Sequence, residues 1–214
     1  MKLFSLYLAC FFGTSSYFAQ NELNKKDFTG SQSEEVIGDQ IWMKCNLSTK
    51  KFRNGDSIFQ AQSDIEWINA FENRQPAWCY ALDRSDDTTE YVLYNYFALS
   101  DNRVISPDGW RVPNTNDWTN LINKLGGSQK AFTQFQEKDN IFNSPGFGYR
   151  MMLNWSYTDE KGNIIKGFSG TAFMGFYTWW VSKGNYLMHQ EAGELVISKE
   201  EDIEGGYAIR CIKE

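Results

Sequence analysis

The clearest hydrophobic pattern in the chain lies just after the stretch 109–113. Apolar side chains recur there at the spacing of one helix face, at Trp118, Leu121, Ile122 and Leu125. Asn114 or Thr115 can cap the first turn, and Asp117 places a negative charge where it suits the helix dipole. Two glycines follow at 126–127 and supply the positive φ that ends a helix. The pattern predicts a helix over residues 114–125.

A second helix is predicted from Asp64 to Asn73. Asp64 can cap it, and Pro76 prevents its continuation. Its apolar stripe is short and consists of Ile65, Ile68 and Phe71. A weaker helical turn is indicated near residues 131–135.

The remaining pattern is typical of short strands separated by turns. A hairpin is predicted over 36–43, with its turn at Gly38-Asp39. A second hairpin with a long polar tip joins 149–157 to 164–168. Further strands or buried apolar runs are predicted at 77–82, 91–99, 173–181, 186–188, 195–197 and 207–212. The predicted elements are therefore two helices followed by many short strands.

The N-terminus has the pattern of a signal peptide over residues 1–19. Lys2 precedes an apolar run of ten residues, 3–12, which is too short to span a bilayer. Cleavage is expected after Ala19, and lipidation at Cys10 is the alternative. Residues 20–35 are polar and predict a flexible leader, so the ordered domain is expected over 36–214 of an exported protein.

Charge and composition narrow the possible partners. The net charge is −6 at pH 7, and the sequence has no basic run. This balance argues against binding to nucleic acid or to anionic membrane surfaces, and no later segment is apolar enough to cross a membrane. Aromatic residues make up 16% of the chain, with eight tryptophans. Such a composition suits an aromatic core or a surface that stacks on sugars.

Three cysteines follow the predicted cleavage point, Cys45, Cys79 and Cys211. Export favours a disulfide, and we expect Cys79 to pair with Cys211. That bond would close a loop of 133 residues and stabilise the fold by roughly 4–5 kcal/mol. The alternative is that all three thiols are reduced and buried.

Several short motifs occur together in one order along the chain. They include Ile37-Gly38-Asp39-Gln40-Ile41-Trp42-Met43, Phe52-Arg53-Asn54-Gly55-Asp56, Pro76-Ala77-Trp78-Cys79-Tyr80, Pro107-Asp108-Gly109-Trp110-Arg111-Val112-Pro113 with Trp118, Trp179-Trp180 and Ile209-Arg210-Cys211. This series resembles the Fibrobacter succinogenes major paralogous domain family, from about Val36 to Glu214. The resemblance implies an exported bacterial protein with a C-type-lectin-like fold, similar also to formylglycine-generating enzymes. The implied fold is α+β, with two short helices packed on small twisted antiparallel sheets, long loops, and chain ends brought together. It agrees with the two helices and many short strands predicted above. The sequence departs from the family at Ser106, where a cysteine is common, and this bears on the cysteine pairing.

The residue types that support catalysis or metal binding are sparse. His189 is the single histidine, which excludes sites that need several, and we expect it to be a surface residue. Acidic pairs such as Asp86-Asp87 lie in polar loops. Calcium motifs of sugar-binding lectins are incomplete at Gln75-Pro76-Ala77 and Val112-Pro113-Asn114. Formylglycine-generating enzymes need a reactive pair of cysteines near the C-terminal part of the domain, and this sequence has only Cys211 there. We therefore predict no catalytic residue, no metal site and no cofactor.

Aromatic residues near the second hairpin are the candidate ligand contacts. Trp155 and Tyr157 precede its polar tip, and Tyr177 lies in the aromatic run that follows. An exposed tryptophan there suits a ligand contact, although anchoring of the loop is the alternative. Trp179 and Trp180 are expected to pack in the core.

These observations predict an exported, non-enzymatic binding module. Its long loops, mainly residues 142–186, would contact a glycan or a cell-surface protein. The alternatives are a structural or adhesion component of the cell envelope and, less favoured, a polysaccharide-acting enzyme.

Overall fold

The fold is α+β, with helices on small, largely antiparallel sheets. The computed structural model describes residues 34–81, 91–136, 147–151, 155–158, 161–162, 164–167, 171–176, 178–182, 186–199, 203 and 205–214. The helices in this part of the chain are α1 (Asp64–Glu72), α2 (Tyr96–Ser100), α3 (Thr115–Lys124) and α4 (Ser128–Gln136). The strands of the first half are β1 (Glu34–Ile37), β2 (Gln40–Met43), β3 (Phe59–Gln60), β4 (Ala77–Ala81), β5 (Tyr91–Tyr94) and β6 (Trp110–Arg111). Those of the second half are β7 (Phe147–Met151), β8 (Trp155–Thr158), β9 (Ile164–Gly167), β10 (Thr171–Phe176), β11 (Trp179–Val181), β12 (Tyr186–Glu191), β13 (Glu194–Lys199), β14 (Gly206–Tyr207) and β15 (Ile212–Lys213).

The largest sheet has six strands in the order β10-β7-β14-β5-β4-β3. Its pairs are antiparallel except β3 with β4, where Phe59 lies beside Ala77 in a parallel register. The strands β11-β12-β13 form a second antiparallel sheet, and β8 pairs with β9. The predicted hairpin arm over 149–157 contains two strands, because β7 pairs with β10 and β14 and only β8 pairs with β9. In the described residues no helix is long and apolar enough to cross a membrane.

A four-stranded sheet, β1-β2-β15-β6, joins the two ends of the described chain. The predicted hairpin turn at Gly38-Asp39 is confirmed, because Ile37 pairs directly with Gln40. Ile212 of β15 lies between Trp42 of β2 and Arg111 of β6. The last strand therefore closes the domain onto its first hairpin.

Buried aromatic rings form the centre of the main core. Trp118 lies between Trp42, at a centroid distance of 4.7 Å, and Trp179, at 5.4 Å. All three are fully buried, and so is Trp180, whose indole nitrogen donates to the Tyr94 carbonyl oxygen at 2.7 Å. The prediction that Trp179 and Trp180 belong to the core is confirmed.

A buried cation lies beside this core. The Arg210 guanidinium donates to the carbonyl oxygens of Met43 and Lys44 and to Asn46 Oδ1. It also lies over the ring of Trp179, 5.6 Å from the centroid. Burial lowers the pKa of Arg210 to about 9, partly offset by the nearby Cys45 and Cys211, so the group stays charged at neutral pH. One side chain thus fastens the β15 end of the chain to the segment after β2.

The predicted disulfide between Cys79 and Cys211 is not formed in the structure. Cys211 is fully buried in the cluster that contains Trp78 and Tyr94. Cys79 follows Trp78 along β4 and packs instead against the clusters around Trp118 and Trp67. Since neighbouring residues of a strand face opposite sides of a sheet, the two thiols are separated by the sheet itself.

The sequence predicted two helices, and this count was too low. Helix α2 begins where the Asn95 side chain accepts from the Ala98 amide, inside a run that was interpreted as one buried segment. Helix α4 begins directly after the two glycines that end α3 and includes residues 131–135, where the sequence indicated only a weaker helical turn. The predicted apolar stripe of α1 was also wrong, because Ile65 is 69% exposed and the buried residues of that helix are Trp67 and Ala70.

Candidate functional site

A groove opens between the start of α3 and the sheet formed by β11, β12 and β13. Its volume is about 580 Å³, within the range of small-molecule binding sites. The described residues that line it are uncharged: Asn114, Thr115, Asn116, Thr119, Ser182, Tyr186 and Ile197. The Ser182 amide donates to the Pro113 carbonyl oxygen at 2.8 Å, which fixes the end of β11 against the start of α3.

The helix side of the groove is built by a capping box. Asn114 Oδ1 accepts from the amides of Asn116 and Asp117, at 2.9 and 3.1 Å. In return, the Asp117 carboxylate accepts from the Asn114 amide at 2.7 Å. These reciprocal bonds satisfy three amides at the helix start and hold the backbone rigid. Asn116 and Thr119 then project from the first turns as exposed polar side chains.

The sheet side of the groove rests on the main core. Tyr186 and Ile197 are partly buried and pack against the hydrophobic cluster around Trp118 and Trp179. Tyr186 begins β12 and pairs with Val181 and Lys199, so its backbone is held on both sides. The groove therefore combines an apolar, aromatic wall with a wall of amide and hydroxyl groups, a combination that suits polar ligands with one apolar face.

A second cleft lies on the other side of α3 and has a different chemistry. It has a volume of about 340 Å³ and is lined by charged residues of both signs, among them Asp39, Arg111, Asp117, Lys213 and Glu214. Arg111 and Asp117 form a two-pronged ion pair, with nitrogen-to-oxygen distances of 2.5 and 2.8 Å. The charges in this cleft are thus largely paired within the protein.

The ion pair shifts the pKa values of both partners. Burial raises the pKa of Asp117, but bonds from Arg111 and the Asn114 amide outweigh it and hold that pKa below its ordinary value. Hydrogen bonding to Asp117 raises the pKa of Arg111. Both groups are therefore charged over the whole physiological range, and the pair acts as a fixed electrostatic unit beside the groove.

The three predicted ligand residues are Trp155, Tyr157 and Tyr177. Trp155 and Tyr157 lie on β8, where their backbones pair with Gly167 and Ile165. Their side chains lie outside the described part of the structure, as does the whole of Tyr177. Their predicted role stays a prediction.

His189 is bonded to a serine. Its Nε2 atom lies 2.8 Å from the Ser198 hydroxyl oxygen across the β12–β13 pair. In a catalytic site, a serine nucleophile is activated by a histidine that acts as general base, and a third group orients the histidine ring. Within the described part of the chain, no carboxylate contacts this ring, and Ser198 lies on an exposed strand surface.

Only some of the elements that form the groove could be predicted from the sequence. The helix start was predicted from its cap and stripe, and the segments containing Tyr186 and Ile197 were predicted as strands. Nothing in the sequence indicated that these strands lie beside that helix start, and Ser182 had no signal at all. No group of histidine, cysteine or acidic side chains that could hold a metal ion occurs in the described ranges.

The model of a protein family described as the Fibrobacter succinogenes major domain matches residues 36–213. No curated protein and no solved structure matches the chain.

Proposed function

The chain belongs to the Fibrobacter succinogenes major domain family, and from that premise we propose that it is an exported, non-enzymatic module that binds a glycan. The observation that carries the proposal is the groove beside α3. Its amide and hydroxyl side chains can exchange hydrogen bonds with sugar hydroxyls, and the Tyr186 ring can lie against the apolar face of a sugar. Export rests on the signal-peptide pattern of residues 1–19.

A C-type-lectin-like arrangement of the domain is part of the same proposal. It is supported by the family resemblance and by the four-stranded sheet in which β15 brings the chain end to the first hairpin. In such an arrangement the loops between the sheets would form one binding surface. Trp155 and Tyr157, at the β8–β9 hairpin, are the proposed extension of the site beyond the groove.

The test is an array of polysaccharides and oligosaccharides probed with the purified chain and with groove variants. Thr119→Ala removes an exposed hydroxyl from the groove, and Tyr186→Ala removes the ring while Tyr186→Phe keeps it. Thr119→Ala should weaken binding by about tenfold, the equivalent of one lost hydrogen bond. Tyr186→Ala should weaken it at least as much, and more than Tyr186→Phe.

Helix α4 supplies a matched control for the threonine variant. Thr119 Oγ1 donates to the carbonyl oxygen four residues earlier at 2.8 Å, and Thr133 Oγ1 does the same at 3.1 Å. Both threonines are exposed, but Thr133 does not line the groove. Thr133→Ala should therefore leave binding unchanged.

Three outcomes would contradict parts of the proposal. If no glycan is retained, the glycan-binding function is wrong, and a protein ligand or an adhesive role in the envelope takes its place. If binding is lost in Trp155→Ala/Tyr157→Ala but not in the groove variants, the site lies on the hairpin. Release of reducing ends from a bound polysaccharide would overturn the non-enzymatic assignment.

A further inference from the structure

We infer that the groove beside α3 selects sugars that carry an acetamido group, and that Asn114 and Thr119 bind this group. This inference rests on the proposed function and narrows its ligand class. It is carried by hydrogen bonds that the helix start already makes, because these bonds determine which atoms of the two side chains can bond a ligand.

Asn114 offers the groove a hydrogen-bond donor. Its Oδ1 atom faces the amides of Asn116 and Asp117, from which it accepts at 2.9 and 3.1 Å. The side-chain nitrogen of asparagine cannot accept from an amide, so the capping box fixes which end of the carboxamide faces the helix. Asn114 lines the groove, and its Nδ2 atom, with two hydrogens, is the end of the side chain directed away from the helix amides.

Thr119 offers the groove a hydrogen-bond acceptor. Its Oγ1 atom donates its only hydrogen to the Thr115 carbonyl oxygen at 2.8 Å. While that bond is kept, a ligand can bond this hydroxyl only as a donor. Thr115 follows the Asn114 cap, so the donor and the acceptor lie at the same end of α3, more than one helical turn apart along the chain.

A secondary amide matches this pattern better than a pair of sugar hydroxyls does. Its carbonyl oxygen only accepts, its N–H only donates, and the two point in opposite directions within one rigid plane. Partners at two separated positions therefore bond both groups, and no rotating hydroxyl has to be fixed. The methyl group of an acetamido substituent can contact Ile197, which lines the groove and packs, partly buried, against the core around Trp118.

The test measures the affinities of the full chain for matched pairs of sugars by NMR titration. The members of a pair differ in the group on carbon 2 of the sugar, which is acetamido in one and hydroxyl in the other. The pairs are triacetylchitotriose with cellotriose, and the methyl β-glycosides of N-acetylglucosamine and N-acetylgalactosamine with those of glucose and galactose. N-acetylalanine methylamide, which has secondary amides and no sugar ring, is the probe for a peptide ligand.

The variants remove one bonding group at a time and keep the helix cap. Asn114→Asp and Asn114→Ser retain an oxygen that caps the helix and lose the Nδ2 donor, since these three residues cap helices about equally well. Thr119→Val removes the acceptor. Thr133→Val makes the same change on α4, outside the groove lining, and the unfolding midpoint of every variant is measured as the check on structure.

The acetamido member of at least one pair should bind about tenfold more tightly than its hydroxyl partner, the equivalent of one added hydrogen bond. Both Asn114 variants and Thr119→Val should reduce this ratio to less than about threefold at little changed unfolding midpoints, and Thr133→Val should leave it unchanged.

The contrary results separate this inference from the proposed function. Equal affinity within every pair, a ratio that the Asn114 and Thr119 variants do not change, or equally tight binding of N-acetylalanine methylamide would overturn the inference while the glycan-binding function stands. Binding of other glycans on the array without binding of any acetamido probe would do the same. Absence of binding to these sugars and to the array would overturn both.

Discussion

At the scale of single residues, Trp118 is the position on which the most packing depends. Its side chain is fully buried between Trp42 and Trp179. Replacing it with alanine empties a large site that rigid neighbouring rings cannot refill. We therefore expect Trp118→Ala to lower the free energy of unfolding by roughly 3–5 kcal/mol in denaturant titrations.

A substitution to alanine at an exposed position is the control for this loss of stability. Ile65 is 69% exposed on α1, and Ile65→Ala should change stability by less than about 0.5 kcal/mol. A Trp118→Ala cost below about 1 kcal/mol would show that α3 does not pack on the aromatic centre as described.

A single residue in the β12–β13 turn carries strain that can be removed. Glu191 pairs with Glu194, and the two turn residues between them, Ala192 and Gly193, have φ values of 50° and 84°. This is the backbone of a turn that favours asparagine followed by glycine. Because alanine is strained at positive φ, Ala192→Asn should raise the free energy of unfolding by about 1 kcal/mol, measured from the denaturant midpoint.

Gly193 tests the same backbone strain, because a substitution there should lower the free energy of unfolding instead of raising it. A Cβ atom added at Gly193 would meet no atom within 4 Å, so any cost of Gly193→Ala comes from the backbone and not from a clash. We expect a loss of about 1–2 kcal/mol. Equal stability of both variants and the parent would mean that the turn has another geometry.

At the scale of elements, the start of α3 ties stability to pH through Asp117. Its pKa in the folded chain lies below the ordinary value of 3.8, so ionised Asp117 stabilises the fold. That contribution is complete above about pH 5, roughly one unit above the unfolded pKa, and is lost as pH falls through the folded pKa. The advantage of the parent over Asp117→Asn should therefore be constant from pH 7 to about pH 5 and shrink below it, in urea titrations at each pH.

The cap residue opposite Asp117 provides the uncharged comparison. Asn114→Ala removes the side-chain acceptor of two amides and should cost about 1 kcal/mol. Because no ionisable group is lost, this cost should stay the same across the pH range. A cost that follows pH in the Asn114 variant, or one that does not in the Asp117 variant, would contradict the assignment.

The elements also show which parts of the fold are encoded locally. The strong stripe, the capping box and the two glycines of α3 are all short-range features, and the predicted helix agrees with the observed one to within a residue at each end. In α1 the local pattern gave the wrong cap and the wrong buried face. Ser63, and not Asp64, caps the helix. Trp67 is the residue that packs in a core cluster, whereas the predicted stripe began at Ile65. Helix α2 was missed because its cap, Asn95, lies inside an apolar run.

At the scale of the whole molecule, the groove and the closure of the chain depend on contacts between distant segments. Ser182 reaches Pro113 through one backbone bond, and Arg210 reaches Met43 and Asn46. No periodicity within a single segment can encode such pairings, which is why the groove was not predicted, whereas the α+β class was expected because the family resemblance implies it. The predicted pairing of Cys79 with Cys211 was wrong for the same reason, because the spacing of cysteines along the chain does not show which side of a sheet each one faces.

The contacts that close the domain predict how the protein responds to reductant. Cys79 and Cys211 lie in different core clusters on opposite sides of the β4–β5 pair, so the chain ends are held by β15, by Arg210 and by packing. Adding a thiol reductant should leave the unfolding midpoint unchanged, and Cys45, Cys79 and Cys211 should all react with a thiol reagent after unfolding without prior reduction. A bond between Cys79 and Cys211 would instead be visible as a linked peptide in mass maps, and reduction would cost roughly 4–5 kcal/mol, the value expected for a loop of 133 residues. That result would mean that β4 turns its other face toward the end of the chain, and the packing around Trp78 would have to be reassigned.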